Sequence, residues 1–321
     1  MSTELPRSTP TTVNVPGTHD FQGAATGRCP VEGGEIWYEV LNASAVRPPL
    51  LVVHGGPGTP HGYLRSLAAL VPEHPVIVYD QLGCGRSDQP KDASLWRLER
   101  FVAELEALVR RLRFDAFHLL AHSAGTMLAC DYALANPRTL LSLTMLSPVL
   151  SARQHQLEMQ QLLERLPADV SSHLMMALNG GTVASIDYLE ATLHFSEQYM
   201  CRISPWPDAL MEVSSHTNAS VRDSLWGKTE FRITGSLRDY ERLDRLPSLT
   251  VPSLLICGQH DFTTPRLCRR YSEAMANAEL VVIDNASHMA HLEQPRRFAN
   301  VLNPFLQRVE KSSRPDSPPG A

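Results

Sequence analysis

The 321-residue chain has no run of about 18 apolar residues and no apolar segment behind a basic start at MSTELPRSTPTTVNVPG, so neither membrane insertion nor secretion is expected. It lacks an excess of positive charge. With 29 Lys and Arg against 34 Asp and Glu the formal net charge is -5, which leaves no electrostatic footing for nucleic acid. Cysteine pairs at metal-ligand spacing are absent, and the histidines lack the i, i+4 spacing beside an acid that hydrolytic zinc needs, so neither a metal nor a cofactor is expected. The six cysteines (Cys29, Cys84, Cys130, Cys201, Cys257, Cys268) are scattered, several inside apolar runs, and read as reduced thiols of a cytoplasmic protein. No internal repeat is visible. What remains is ordinary globular composition, 43% hydrophobic and 20% charged, in a chain long enough for one large domain acting on a small molecule or short peptide.

Within that domain, short apolar runs alternate with longer segments of helical period, which predicts a mostly parallel sheet flanked by helices. The strands are expected at Leu50–Val53, Val76–Tyr79, Phe117–Leu120, Leu141–Leu146, Leu254–Cys257 and Leu280–Ile283. A helix with Leu95, Leu98, Phe101, Val102, Leu105, Leu108, Val109 and Leu112 on one stripe is expected to start at Asp92 or Ser94, with its Arg and Glu residues on the other face. From about residue 148 to 235 the strand rhythm gives way to helical sequence rich in Met, His and Gln. An insertion between two strands emerges above their C-terminal ends, so this stretch is expected to be a helical cap. The division that follows is a Pro/Ser/Thr-rich tail at 1–18, core at 19–147, cap at 148–235, core at 236–310 and a second tail at 311–321.

The strand ending LLAHSAGTM runs directly into a helical pattern, placing Ser123 on a sharp strand-to-helix turn with the small residues Ala121 and Gly125 two positions either side. That is the sequence form of a nucleophile elbow, with alanine in the place of its first glycine. A serine used in this way needs backbone N–H donors for an oxyanion, and these are expected from Ala124 and from Gly56 in His54-Gly55-Gly56-Pro57-Gly58. It also needs a base and an acid to orient the base. Asp261 and His288 each follow the C-terminal end of a late strand and come in the order Ser, acid, His. The rivals His260, His291 and Asp284 read more simply as loop or cap residues. His54 reads as a structural loop residue, and Cys84 in DQLGCGRS as part of a folded loop.

HGGPG, DQLGCGRSDQP, the serine elbow, GQHDFTTP and NASHMAHLEQP together resemble the proline iminopeptidase branch of the α/β-hydrolase fold, peptidase family S33. The segments YMCRISPWPDAL and LWGKTEFRITGSLRDYERLDRL are similar to its cap, so the resemblance covers nearly everything between the tails. It implies a serine hydrolase that forms an acyl-enzyme on a substrate bearing a free terminal amine or proline imine, and Glu230 matches an amine-binding acid. Substrate contacts are expected at Gly55, Glu230, Phe262 and Trp226. Phe262 stands where the branch commonly has an acid after the aspartate, which removes one counter-charge for an ammonium. The alternative that follows is an esterase, thioesterase or lactonase acting on a less charged acyl compound.

Overall fold

The computed structural model describes residues 25–135, 138–179 and 182–313. Among the described residues eight strands form one sheet: β1 Ala25–Val31, β2 Gly34–Leu41, β3 Leu50–Val53, β4 Val76–Tyr79, β5 Phe117–His122, β6 Leu140–Leu146, β7 Ser253–Gly258 and β8 Ala278–Ile283. Their spatial order is β1-β2-β4-β3-β5-β6-β7-β8. From β4 to β8 every neighbouring pair is parallel, whereas β1 and β2 form an antiparallel hairpin added to the β4 edge. The central strands β3, β4, β5 and β7 are buried along their whole length, which is why they read as unbroken apolar runs. The hairpin did not read that way. Its strands mix Arg, Glu, Gly and Pro with apolar residues, and the turn is made by Glu32 and Gly33.

Helices cover both faces: α1 Leu67–Leu70, α2 Leu98–Leu112, α3 Gly125–Ala135, α9 Pro265–Ala274, α10 Ala290–Glu293 and α11 Pro295–Ser313. Helix α2 differs from its expected form in two respects. It begins at Leu98 with Arg97 as an N-cap that makes no side-chain bond, because Asp92 caps a separate short 3-10 turn at Ala93–Leu95. And Arg100 and Glu104, expected on its solvent face, are buried as an ion pair of 2.8 Å, with Glu104 also accepting the Leu82 N–H. Between β6 and β7 lie α4 Ala152–Leu163, α5 Ala168–Leu178, α6 Ile186–Tyr199, α7 Asp208–Ser215 and α8 Ala219–Leu225. Helices α4, α5 and α6 carry their own apolar cluster, built on Met159, Leu174, Tyr188 and Phe195 with Phe231, and it extends to Phe262 of the core, whereas Leu210 and Val213 of α7 and Val221 and Leu225 of α8 pack into the core clusters of the sheet. Residues 311–313, expected in a tail, are the last turn of α11; the rest of that tail and the tail at 1–18 lie outside the described residues. Among the described residues no helix is long and apolar enough to cross a membrane. All six cysteines are free and buried.

Candidate active site

Because parallel strands all end on the same edge of a sheet, the loops after β3, β5, β6, β7 and β8 gather there. Ser123 follows β5 directly and has φ +53°, the left-handed conformation that a tight elbow imposes. The turn is held by Ser123 N–H donating to Leu146 O at 2.9 Å, and by Thr126 N–H donating to Ser123 O at 2.9 Å. Gly125 allows the turn to sit against the loop after β3, since a Cβ there would lie 2.4 Å from His54 O. The elbow is thus wedged between β6 and the glycine loop.

Asp261, after β7, and His288, after β8, meet at 2.9 Å between Oδ1 and Nδ1, both nearly inaccessible to water. The carboxylate is fixed on its other side: Ser147 O–H donates to Oδ2 at 2.5 Å and Thr263 N–H donates to Oδ1 at 2.8 Å. The loop of His288 is anchored to the end of α6, with His288 N–H on Tyr199 O at 3.1 Å and Met289 N–H on Met200 O at 3.0 Å. Its imidazole lies between two rings. Phe262 stacks on it with centroids 3.9 Å apart, and His122 is tilted against it at 4.6 Å.

The sequence assigns no role to His122 or Tyr63, yet they join three loops. Gly55 N–H donates to Tyr63 Oη at 2.9 Å, Tyr63 O–H donates to His122 Nδ1 at 2.8 Å, and His122 Nε2–H donates to His288 O at 3.2 Å. This directional chain requires a neutral His122, and burial pushes its pKa well below the usual histidine value. Ser147, equally missed, has φ +54° and turns its hydroxyl to Asp261. The one signal for His122 was its place beside Ser123; nothing in the sequence marked Tyr63 or Ser147.

Ser123, His288, Gly56, Glu230, Phe262 and Trp226 all line one pocket of about 460 Å³, whose wall opposite the sheet comes from α6, α7 and the segment after α8. Gly55 does not line it: its N–H is spent on Tyr63, and it packs against Ser123, to whose Cβ a side chain would come within 2.9 Å. Gly56 N–H and Ala124 N–H have no hydrogen-bond partner among the described residues. Among the described residues, Glu230 is the only carboxylate on the lining and Arg222 the only permanent cation. Water reaches Glu230 through the pocket, but the surrounding protein desolvates its carboxyl and raises its pKa. Trp226 turns its indole N–H to Glu230 O at 3.4 Å.

The remaining candidates fall elsewhere. His291 is buried with Nε2 on Tyr63 O at 3.1 Å, Asp284 pairs with Arg297 at the surface, and His260 holds the loop through its backbone N–H to Ala286 O. His54 accepts Gln81 N–H at 2.9 Å, and burial pushes it down to about 4, so it is neutral within its loop. Burial pushes the Cys84 thiol well up, away from the reactive thiolate.

The family described as alpha/beta hydrolase fold matches residues 48–295. A proline iminopeptidase of Heyndrickxia coagulans is 35% identical over 280 residues, 87% of this chain and 97% of that protein. One from Lactobacillus helveticus is 32% identical over 293 residues, 89% of this chain and 98% of the other. The crystal structure of a proline iminopeptidase from Mycobacterium smegmatis superposes with a TM-score of 0.85 at 31% identity, covering 90% of this chain and 100% of that one. The chain belongs to the α/β-hydrolase fold family, in the branch of the proline iminopeptidases.

Proposed function

We propose that this protein removes an N-terminal residue, of proline type or small and apolar, from a peptide or amide through an acyl-enzyme on Ser123. His288 takes the Ser123 proton as Oγ attacks the carbonyl carbon, and Asp261 keeps the Nδ1–H tautomer and stabilises the imidazolium that forms. The oxyanion accepts the N–H groups of Gly56 and Ala124. On collapse, the imidazolium returns its proton to the leaving amine, and the acyl group stays on Ser123 Oγ. Water, deprotonated by His288, then attacks the ester and frees the amino acid. Glu230 pairs with the terminal ammonium of the substrate.

The observation that carries this reading is the 2.9 Å bond between Asp261 and His288, whose ring lines the pocket that Ser123 and Glu230 share. The test is turnover of proline and alanine p-nitroanilides and amides beside p-nitrophenyl esters. Cleavage of the aminoacyl compounds is expected; none on any of them, with esters still cleaved, rejects it. That outcome would favour an ester, thioester or lactone substrate, a reading that rests on the solitary carboxylate of the pocket and on Phe262 beside the base.

A further inference from the structure

At the edge of the sheet away from the catalytic loops, three side chains remote in sequence converge: His74 just before β4, His118 near the start of β5, and Glu310 on α11. His74 Nε2 lies 3.6 Å from Glu310 Oε1, and His118 Nε2 lies 3.4 Å from the same oxygen. Both histidines are fully buried and Glu310 is 7% exposed, yet none of these three inward-facing atoms has a hydrogen-bond partner among the described residues. Three buried polar atoms aimed at one another and left unsatisfied are costly unless something sits among them.

The outward-facing atoms are all engaged. His74 Nδ1 meets Pro48 O at 2.9 Å, a carbonyl that only accepts, so the proton of a neutral His74 is on Nδ1 and Nε2 presents a lone pair. His118 Nδ1 is 2.7 Å from Ser142 Oγ, and Glu310 Oε2 accepts Arg47 Nη1–H at 2.7 Å. Such outer bonds are what orient imidazole and carboxylate ligands toward a metal. A single proton cannot replace the metal: placed on His118 Nε2, it leaves the His74 lone pair facing a carboxylate oxygen. A divalent cation satisfies all three atoms at once.

We infer that His74, His118 and Glu310 form a binding site for a divalent cation of the zinc class. Zinc bonds of about 2.0–2.1 Å in a tetrahedron place ligand atoms roughly 3.3–3.4 Å apart, close to the two separations observed. The two ring planes cross at 80°, so both imidazoles point their Nε2 edge inward without overlapping. Two neutral imidazoles and one carboxylate are a donor set that zinc accepts. The site is structural. His118 stands five residues before Ser123 on one strand, roughly 16 Å away, and the cation joins α11 to the starts of β4 and β5.

The test uses the full chain without a histidine tag, stripped with a chelator and then given zinc alone or cobalt(II) alone. One equivalent of zinc is expected, with a Tm rise on the order of 5 °C once free zinc exceeds Kd about a hundredfold, and cobalt should give the visible absorption of a tetrahedral centre. His74→Gln and His118→Gln should abolish both, while Ser123 still reacts with a fluorophosphonate at the parental rate. If either variant fails to fold, Ser142→Ala serves in its place, because it loosens only the outward bond of His118 and should weaken affinity by about 10- to 100-fold. Zinc without effect on the parent, or bound equally by the parent and the variants, overturns the site and leaves a buried water or proton among the three atoms.

Discussion

Phe262 lies nearly face to face with His288, ring centroids 3.9 Å apart and planes 24° from parallel. An aromatic face in that position favours an imidazolium, so in the proposed reaction, where His288 takes the Ser123 proton, the contact strengthens toward the transition state. Phe262→Leu keeps the apolar volume and removes the ring. We expect kcat to fall by about 3- to 30-fold, equivalent to ~0.6–2 kcal/mol, with KM little changed. Steady-state kinetics on one good substrate decides it; a change confined to KM would make Phe262 a pocket wall and nothing more.

The carboxylate behind the base is held by Ser147 and Thr263 as well as by His288. Asp261→Asn presents an amide to Nδ1 and is expected to lower kcat by roughly 10⁴-fold, through the wrong tautomer. Ser147→Ala removes the anchor of Oδ2 and leaves Asp261 held only through Oδ1, so about a 10-fold loss in kcat is expected. Ser123→Ala should reduce kcat by roughly 10⁴- to 10⁶-fold. Rates measured against one fluorophosphonate-titrated standard give all three values, and a Ser123→Ala loss of only tenfold would remove the serine from the mechanism.

The parallel half of the sheet was legible because strands buried on both faces must be apolar throughout, and residues 50–53 and 76–79 are read to the residue. The β1–β2 hairpin was not legible, because an edge pair with polar side chains and a glycine turn resembles loop sequence. The same logic divides the site. Ser123, Asp261 and His288 stand just past the ends of strands, so their gathering at one edge of the sheet follows from topology alone. Tyr63 reaches His122 from a short turn between β3 and β4, and Ser147 reaches Asp261 across one strand, contacts that only packing creates. His74, His118 and Glu310 carry no motif spacing for the same reason: 44 and 192 positions separate the consecutive members of the set, and only the fold brings them within 4.8 Å of one another.

Arg100 and Glu104 are the other residues that helical periodicity misplaced, and their burial has a measurable consequence. Each is 2% exposed or less, and the 2.8 Å pair anchors the loop after β4 through Leu82 N–H. Burial raises the Glu104 pKa to about 7 against the pull of Arg100, so Arg100→Met keeps the stem and leaves a carboxyl that takes up a proton at neutral pH; the expected cost is small at pH 6 and grows with pH toward about 3–5 kcal/mol near pH 9. The double variant Arg100→Met, Glu104→Leu should recover most of that loss, because it leaves no charge without a partner. Denaturant melts of the parent and the two variants near pH 9 check this, and equal stability for single and double variants there would mean that water, not Arg100, satisfies Glu104.

Glu230 gives the prediction that separates the two substrate classes. Its pKa is raised by desolvation, with Arg222 opposing the shift, and only the charged form attracts a substrate ammonium. The carboxylate is therefore present above the raised pKa and lost as the pH falls through it. Both substrate classes use the same proposed serine chemistry, so dividing kcat/KM for an alanine or proline p-nitroanilide by kcat/KM for a p-nitrophenyl ester without an amine isolates the recognition of the amine. That ratio is expected to decline toward acid pH with an inflection above the ordinary glutamate value. In Glu230→Gln it should be flat and lower by about 10- to 100-fold, the worth of ~1.4–2.8 kcal/mol for a charge-assisted contact. A parental ratio independent of pH, or a Glu230→Gln variant that keeps its preference for the free amine, would take Glu230 out of substrate recognition while leaving the reaction at Ser123 intact.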